Sequence, residues 1–269
     1  VRSRGLGDVY KRQVLRGVSM EEKMKVIFHD DFYESYCYDP AAAPGRIEAI
    51  VEAIDGRVAF VDALPASRED IAACHTDSHI EQVKRQGVYD IAALAAGGAI
   101  QAAEIGLSEP SFALIRPPGH HASANSAWGF CYFSNMAIAI SKLKREGKIG
   151  KAFILDFDLH FGDGTVNILG HSNYVNILNP STSDRSAYLK EVARVLPDDA
   201  DIIGISAGFD NHREDWGGVL ATDDYREMGR MVREASEQSG GGCFAILEGG
   251  YNHRVIGQNA MALIEGLEK

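Results

Sequence analysis

The chain is poor in cysteine and in basic charge, and it has no long apolar run. Its four cysteines, Cys37, Cys74, Cys131 and Cys243, are scattered and form no CxxC pair. So few thiols in 269 residues exclude a disulfide scaffold and fit a reducing compartment. Lys and Arg number 27 against 38 Asp and Glu, for a net charge of -11 and a pI near 5.3. This balance argues against direct nucleic-acid binding, which needs a basic face, and is compatible with a cationic substrate. No apolar stretch reaches the ~18 residues of a membrane span, and no secretory signal pattern is present. These absences lead us to expect a cytoplasmic protein without a membrane partner. Repeats, low-complexity tracts and linkers are missing too, so one domain is expected, and 45% hydrophobic residues suffice to bury its core. The sequence carries no sign of an oligomeric state.

The opening stretch, "VRSRGLGDVYKRQVLRGVS", has no initiator Met, five Lys or Arg against one Asp, and no sustained periodicity. Residues 1–19 are expected to be a non-native or disordered leader ahead of a start at Met20 or Met24, with a single domain over 20–269. From Met24 onward, short apolar runs read as strands: "KVIFH" (25–29), "RVAFV" (57–61), "FALI" (112–115), "KAFILDF" (151–157), "YVNIL" (174–178), "DIIGISA" (201–207) and "CFAIL" (243–247). Amphipathic stretches lie between them, including "GRIEAIVEAI", "DIAALAAGGAIQAAEI", "SNMAIAISKLKREG", "DDYREMGRMVREASEQ" and "VIGQNAMALIEGL". Alternating strands and helices imply an α/β fold whose parallel sheet is covered on both faces.

In such folds ligands bind beyond the carboxyl ends of the strands. That is where the polar residues of this chain gather. "FALIRPPGHHA" leads into His120 and His121, "ILDFDLHFGDGT" into Asp156, Asp158, His160 and Asp163, "IIGISAGFD" into Asp210, and "FAILEGGY" into Glu248 and Tyr251. Side chains alternate along an extended backbone, so Asp156, Asp158 and His160 can share one face. Asp-x-His sets an oxygen beside an imidazole nitrogen, which suits zinc, and Asp210 from another strand end would complete the open three-ligand set of a catalytic ion. The bland reading of the same residues is an ion-pair cluster capping helix N-termini. No Lys or Arg stands within the segment to balance its acids.

In order and spacing, "RPPGHHA", "GFCYFSNMAIA", "DFDLHFGDGT", "SAGFD", the "GG" before "LATDDY", and "LEGGYN" resemble the zinc-dependent histone deacetylases and acetylpolyamine amidohydrolases, prokaryotic members above all. The likeness runs from about Met24 to the C-terminus. It implies the arginase/deacetylase fold, a three-layer α/β/α sandwich around a mainly parallel sheet of about eight strands. It also implies removal of acetyl groups from acetyl-lysine peptides or acetylpolyamines. Carried over by position, Asp158, His160 and Asp210 would ligate one zinc ion. His121 would be the general base and then acid, His120 the companion that stabilises charge, and Asp156 and Asp163 their respective supporting carboxylates. Tyr251 would donate to the oxyanion from a Gly249–Gly250 turn able to swing it inward, and Gly129 and Phe130 would line the tunnel. A potassium ion bound by backbone carbonyls around Asp156, Asp158 and His160 belongs to the same resemblance. Chemically, two carboxylate ligands cancel much of the zinc charge, so its water needs a separate base, and a carboxylate-poised histidine pair provides one.

The sequence also departs from the family. Phe161 stands where most relatives have a second histidine, and "VNILNPSTSDR" lacks the usual "SLH" and the aromatic of the opposite tunnel wall. Asn176 would offer an oxygen to the potassium ion if it takes the place of the missing Ser. Of the remaining candidates, His75 and His79, four apart on an expected helix, read as capping or packing. His171, His212 and His253 read as loop residues, and Cys131 as core. Arg116 would assist product departure or pair with a core carboxylate. Two other functions share parts of the pattern: a dinuclear manganese ureohydrolase, which wants a DAHxD string and a later DxD cluster, and a non-catalytic binder of acylated lysine.

Overall fold

The computed structural model describes residues 23–268, so the expectation for residues 1–19 lies outside the described residues. Each apolar run becomes a strand: β1 (Lys25–Phe28), β2 (Ala59–Asp62), β3 (Ser111–Ala113), β4 (Ala152–Asp156), β5 (Val175–Leu178), β6 (Ile202–Ala207) and β7 (Gly242–Leu247). All pairings are parallel, in the order β2-β1-β3-β7-β6-β4-β5. The resemblance implies about eight strands, whereas the described residues hold seven. The sequence contains seven strand-length apolar runs, and the short segment after β5 adds no other.

The helices are α1 (Arg46–Ile54), α2 (Arg68–Ala72), α3 (Asp77–Arg85), α4 (Tyr89–Gly106), α5 (Asn135–Arg145), α6 (Asp163–Leu169), α7 (Arg185–Val195), α8 (Thr222–Ser239) and α9 (Ile256–Glu268). They form two groups: α2 to α6 pack among themselves, with α4 on the sheet, while α1, α7, α8 and α9 form the second layer, with α8 on β6 and β7. Covered on both faces, the central strands β4 and β6 are buried at every residue, while the outer strand β2 alternates between partly buried and exposed. Each fully buried Ile or Phe in these strands contributes about 1.5–3 kcal/mol of apolar transfer, which holds the sheet rigid beneath whatever stands at its rim. No helix among the described residues is long and apolar enough to cross a membrane.

Strand order decides which of the polar strand exits can meet. The four strands whose exits carry His, Asp and Tyr are β3, β7, β6 and β4, and these are consecutive neighbours in the sheet. Their carboxyl ends therefore share one short stretch of rim.

Candidate active site

At that rim, Asp156 is the last residue of β4 and is buried. The strand ends there, and a bend over residues 158–160, in place of the expected extended run, brings Asp158 and His160 round toward Asp210, which follows β6. His160 Nδ1 lies 3.2 Å from Asp158 Oδ1 and 3.1 Å from Asp210 Oδ2. Backbone amides orient both carboxylates: Gly249 N–H donates to Asp158 Oδ2 (2.8 Å), and Leu159 N–H donates to Asp210 Oδ1 (3.0 Å). Gly249 is required here, because a Cβ on it would stand 2.5 Å from Asp158 Oδ2 and 2.7 Å from Asp210 Oδ2.

The electrostatics of this trio favour a cation. Burial, and then the facing Asp158 charge, raise the Asp210 carboxyl above its ordinary range. Hydrogen bonds to Asp158 and then Asp210 hold the His160 imidazole up to about 10. One donor atom from each of the three lies within 4.8 Å of the others, and this is the one such trio among the described residues. Ligands on zinc bonds of about 2.0–2.2 Å in a tetrahedron stand about 3.3–3.5 Å apart. The contacts of 3.1 and 3.2 Å around Nδ1 are close to that spacing, so the donor set fits the ion in both type and reach.

Two histidine–carboxylate dyads stand beside the trio. His120 Nδ1 donates to Asp156 Oδ2 (3.1 Å) and His121 Nδ1 donates to Asp163 Oδ1 (2.7 Å), with the two rings 4.0 Å apart. Their titration is split. For His120, burial opposes protonation, but the charges of Asp158 and Asp156 outweigh it and raise the imidazole. For His121, burial first and then the charge on His120 push the imidazole down to about 4, so it is neutral at pH 7 with Nε2 able to accept a proton. Glu248, fully buried beneath the pair, accepts N–H bonds from Gly119 (2.7 Å) and His120 (3.2 Å).

Tyr251 completes the ring of groups. Its loop is tied down: Asp215 Oδ2 accepts the N–H of Tyr251 (2.8 Å) and of Asn252 (2.7 Å). Arg46, fully buried, donates to the carbonyls of Gly250 (2.7 Å) and Glu248 (2.5 Å) and lies 5.5 Å from the Tyr251 ring centre. Across from it, Gly129 and Phe130 have φ of +58° and +68°, and Cys131 N–H closes the turn onto Trp128 O (3.0 Å). The left-handed Phe130 costs about 1–2 kcal/mol, and strain of this kind is kept where the surroundings impose it. A Cβ on Gly129 would lie 2.3 Å from His121 Cδ2, which is why this turn can approach the histidine so closely.

The result is a cavity of about 130 Å³ lined by Pro118, His120, His121, Trp128, Gly129, Phe130, His160, Trp216, Gly249 and Tyr251. Asp156, Asp158, Asp163 and Asp210 stand directly behind its histidines. Four contributors escaped sequence reading: Arg46, Asp215, Trp128 and Trp216. Trp216 stacks on Tyr251 (centroids 4.1 Å, 26°) and so supplies an aromatic wall from the loop after β6 rather than from the one after β5. The nearest signals were an arginine on the apolar face of α1 and a tryptophan directly before "GFCYF".

Other candidates resolve as structural. His75 donates from Nδ1 to Ser123 O (3.0 Å) and accepts Ser134 N–H at Nε2 (2.9 Å) just ahead of α3, and His79 Nε2 bonds Tyr132 O (2.7 Å). Arg116 donates to the carbonyls of Glu34, Ala41 and Ala43, not to a core carboxylate. Phe161 is 58% exposed beside the site. Asn176 is exposed on the outer strand β5, whereas Asn179 is the one that reaches inward, accepting Gly162 N–H (2.8 Å) beside Asp156. Cys131 is buried, and its Sγ accepts His121 N–H (3.4 Å).

Known proteins share the family and the fold. Residues 41–189 and 170–267 match the histone deacetylase domain. A probable deacetylase of Methanothermobacter thermautotrophicus is 31% identical, over 90% of this chain and 90% of that protein. A histone deacetylase-like amidohydrolase of Pseudomonas aeruginosa is 28% identical over 81% of this chain and 72% of that protein. A crystal structure of the HDA15 HD domain superposes with a TM-score of 0.79 at 25% identity, covering 91% of this chain and 90% of that one.

Proposed function

Since the chain belongs to the histone deacetylase domain family, we propose that it is a zinc-dependent amidohydrolase that removes acetyl groups from primary amines, acetyl-lysine in peptides or acetylpolyamines. The observation that carries this reading is the convergence, on one cavity, of the Asp158–His160–Asp210 trio with two histidine–carboxylate dyads and Tyr251. Asp158, His160 and Asp210 would hold one zinc ion, which when bound supplies Lewis acidity to the amide carbonyl and makes water more acidic. A structural potassium ion near Asp156, with Asn179 close by, belongs to the same reading, as does a single deacetylase domain over 20–269.

The chain's own residues then do the proton work. His121, neutral and fixed in its Nδ1–H tautomer by Asp163, accepts at Nε2 the proton of the attacking water. His120, held charged by Asp156 and Asp158, stabilises the negative charge that forms on the carbonyl oxygen, and the Tyr251 hydroxyl donates to the same oxyanion. As the C–N bond breaks, His121 returns its proton to the departing amine nitrogen. Phe130, Trp128 and Trp216 exclude water and grip the apolar stem of the acylated amine.

With one trio of donors among the described residues, the geometry gives no support to a dinuclear centre. Assay of an acetyl-lysine peptide in competition with acetylputrescine and acetylspermidine tests the function and separates the substrate classes. His121→Ala and Asp210→Ala should each lower kcat/KM by at least about 10²-fold. Full activity in either variant contradicts the proposal.

A further inference from the structure

Trp128 is 56% exposed, yet its indole is engaged twice. Its Nε1–H donates to both oxygens of Asp163, at 3.2 Å to Oδ1 and 3.0 Å to Oδ2, and its ring lies over His121 with centroids 3.8 Å apart at 28°. Asp163 Oδ1 is the same oxygen that accepts His121 Nδ1–H. Asp163 needs such a partner. It opens α6, and its side chain is 35% exposed, so water competes for its oxygens, and among the described residues only His121 and Trp128 bond its carboxylate. The carboxylate behind His120 differs, because Asp156 is buried.

The backbone holds the indole in register. Gly129 and Phe130, both left-handed, fold the chain so that Cys131 N–H meets Trp128 O, and Cys131 Sγ takes the backbone N–H of His121. Trp128 is thus attached, through one tight turn, to the histidine that it covers. Trp216 provides the contrast: it stacks on Tyr251 and makes no hydrogen bond to either dyad.

We propose that Trp128 is a positioning residue of the Asp163–His121 dyad: its N–H locks the Asp163 carboxylate on His121 Nδ1, and its ring shields that hydrogen bond from water, keeping Nε2 as the proton acceptor. The catalytic part of this inference rests on the hydrolase reading above; the positioning part does not. Two measurements test it. The first is low-field proton NMR of ¹⁵N-histidine-labelled protein, in which the His121 Nδ1–H resonance is identified by its loss in Asp163→Asn. Trp128→Phe, which keeps a ring on His121 but removes the N–H, should broaden that signal and speed its exchange with water by at least about fivefold, while Trp216→Phe leaves it sharp. An unchanged exchange rate in Trp128→Phe overturns the proposal.

The second is a double-mutant cycle in turnover of an acetyl-lysine peptide. Trp128→Phe should lower kcat about tenfold with KM within about twofold, and should lower it less than about twofold further in an Asp163→Asn background. Equal losses in both backgrounds would mean that Trp128 acts independently of Asp163, as wall alone, and overturn the proposal. If the wild-type protein turns over no acylated amine, the hydrolase reading fails, and the resonance comparison still decides the position of Trp128.

Discussion

A methyl group on residue 129 would touch the His121 ring, since a Cβ there stands 2.3 Å from Cδ2 on a backbone with φ of +58°. Gly129→Ala should therefore lower kcat by about 10²-fold or more through displacement of His121, with the thermal midpoint lowered by only a few degrees; steady-state kinetics beside a melting curve checks both. His75 governs a pH effect away from the chemistry. Burial, and then its neighbour His79, push its imidazole from 6.5 to about 4, and its Nε2 must stay unprotonated to accept Ser134 N–H. The unfolded chain then binds more protons than the folded one between pH 6.5 and 4, so this residue's stabilising contribution is present above 6.5 and declines as pH falls, by on the order of 3 kcal/mol in all. His75→Asn should melt lower at pH 7 and show a shallower loss between pH 6.5 and 4; an unchanged slope contradicts the assignment. At this scale the legible residues were those whose place follows from a strand exit, such as Asp158 and His160 just beyond β4, although they meet through a bend and not along one strand face. Arg46 was not legible, because its partners Glu248 and Gly250 lie 202 and 204 residues away. Trp128 and Trp216 were missed because a tryptophan in a loop carries no periodicity to read.

Among elements, all seven strands were visible as apolar runs: the central strands are buried on both faces and must be apolar throughout, while the outer β2 and β5, partly exposed, keep enough apolar residues to read as short runs. The long helices α1, α4, α5, α8 and α9 were visible for a similar reason, each presenting a buried face. The short α2 and α6, with five and seven residues, give too few turns for a period to emerge. α7 follows a Ser- and Thr-rich loop, and only its N-cap announces it: Asp184 Oδ1 accepts Ala187 N–H at 2.7 Å. Asp184→Ala should cost about 1 kcal/mol in denaturant unfolding with kcat within about twofold, since the cap holds only the first turn of α7, while Tyr188 inside the helix donates to Phe157 O at the rim (3.3 Å). An unchanged unfolding midpoint would contradict the cap.

For the whole molecule, rigid placement of β3, β7, β6 and β4 side by side converts four sequence-distant motifs into one cavity. Strand order cannot be read from the motifs themselves, so their convergence was legible only through the general rule that strand ends host ligands. The net charge of -11 acts at the same scale. If the substrate is a cationic acetylated amine, kcat/KM should fall about threefold or more between 0.05 and 0.5 M salt, while a neutral acetylated amine shows no such trend. The central claim, that one zinc ion held by Asp158, His160 and Asp210 serves the His121 base, is tested most directly by titrating zinc into chelator-stripped protein and following hydrolysis of an acetyl-lysine peptide. The account predicts no turnover without metal and full recovery at one zinc per chain, with no recovery in Asp210→Ala. Full turnover by the stripped protein, or recovery only at two metal ions per chain, would contradict it.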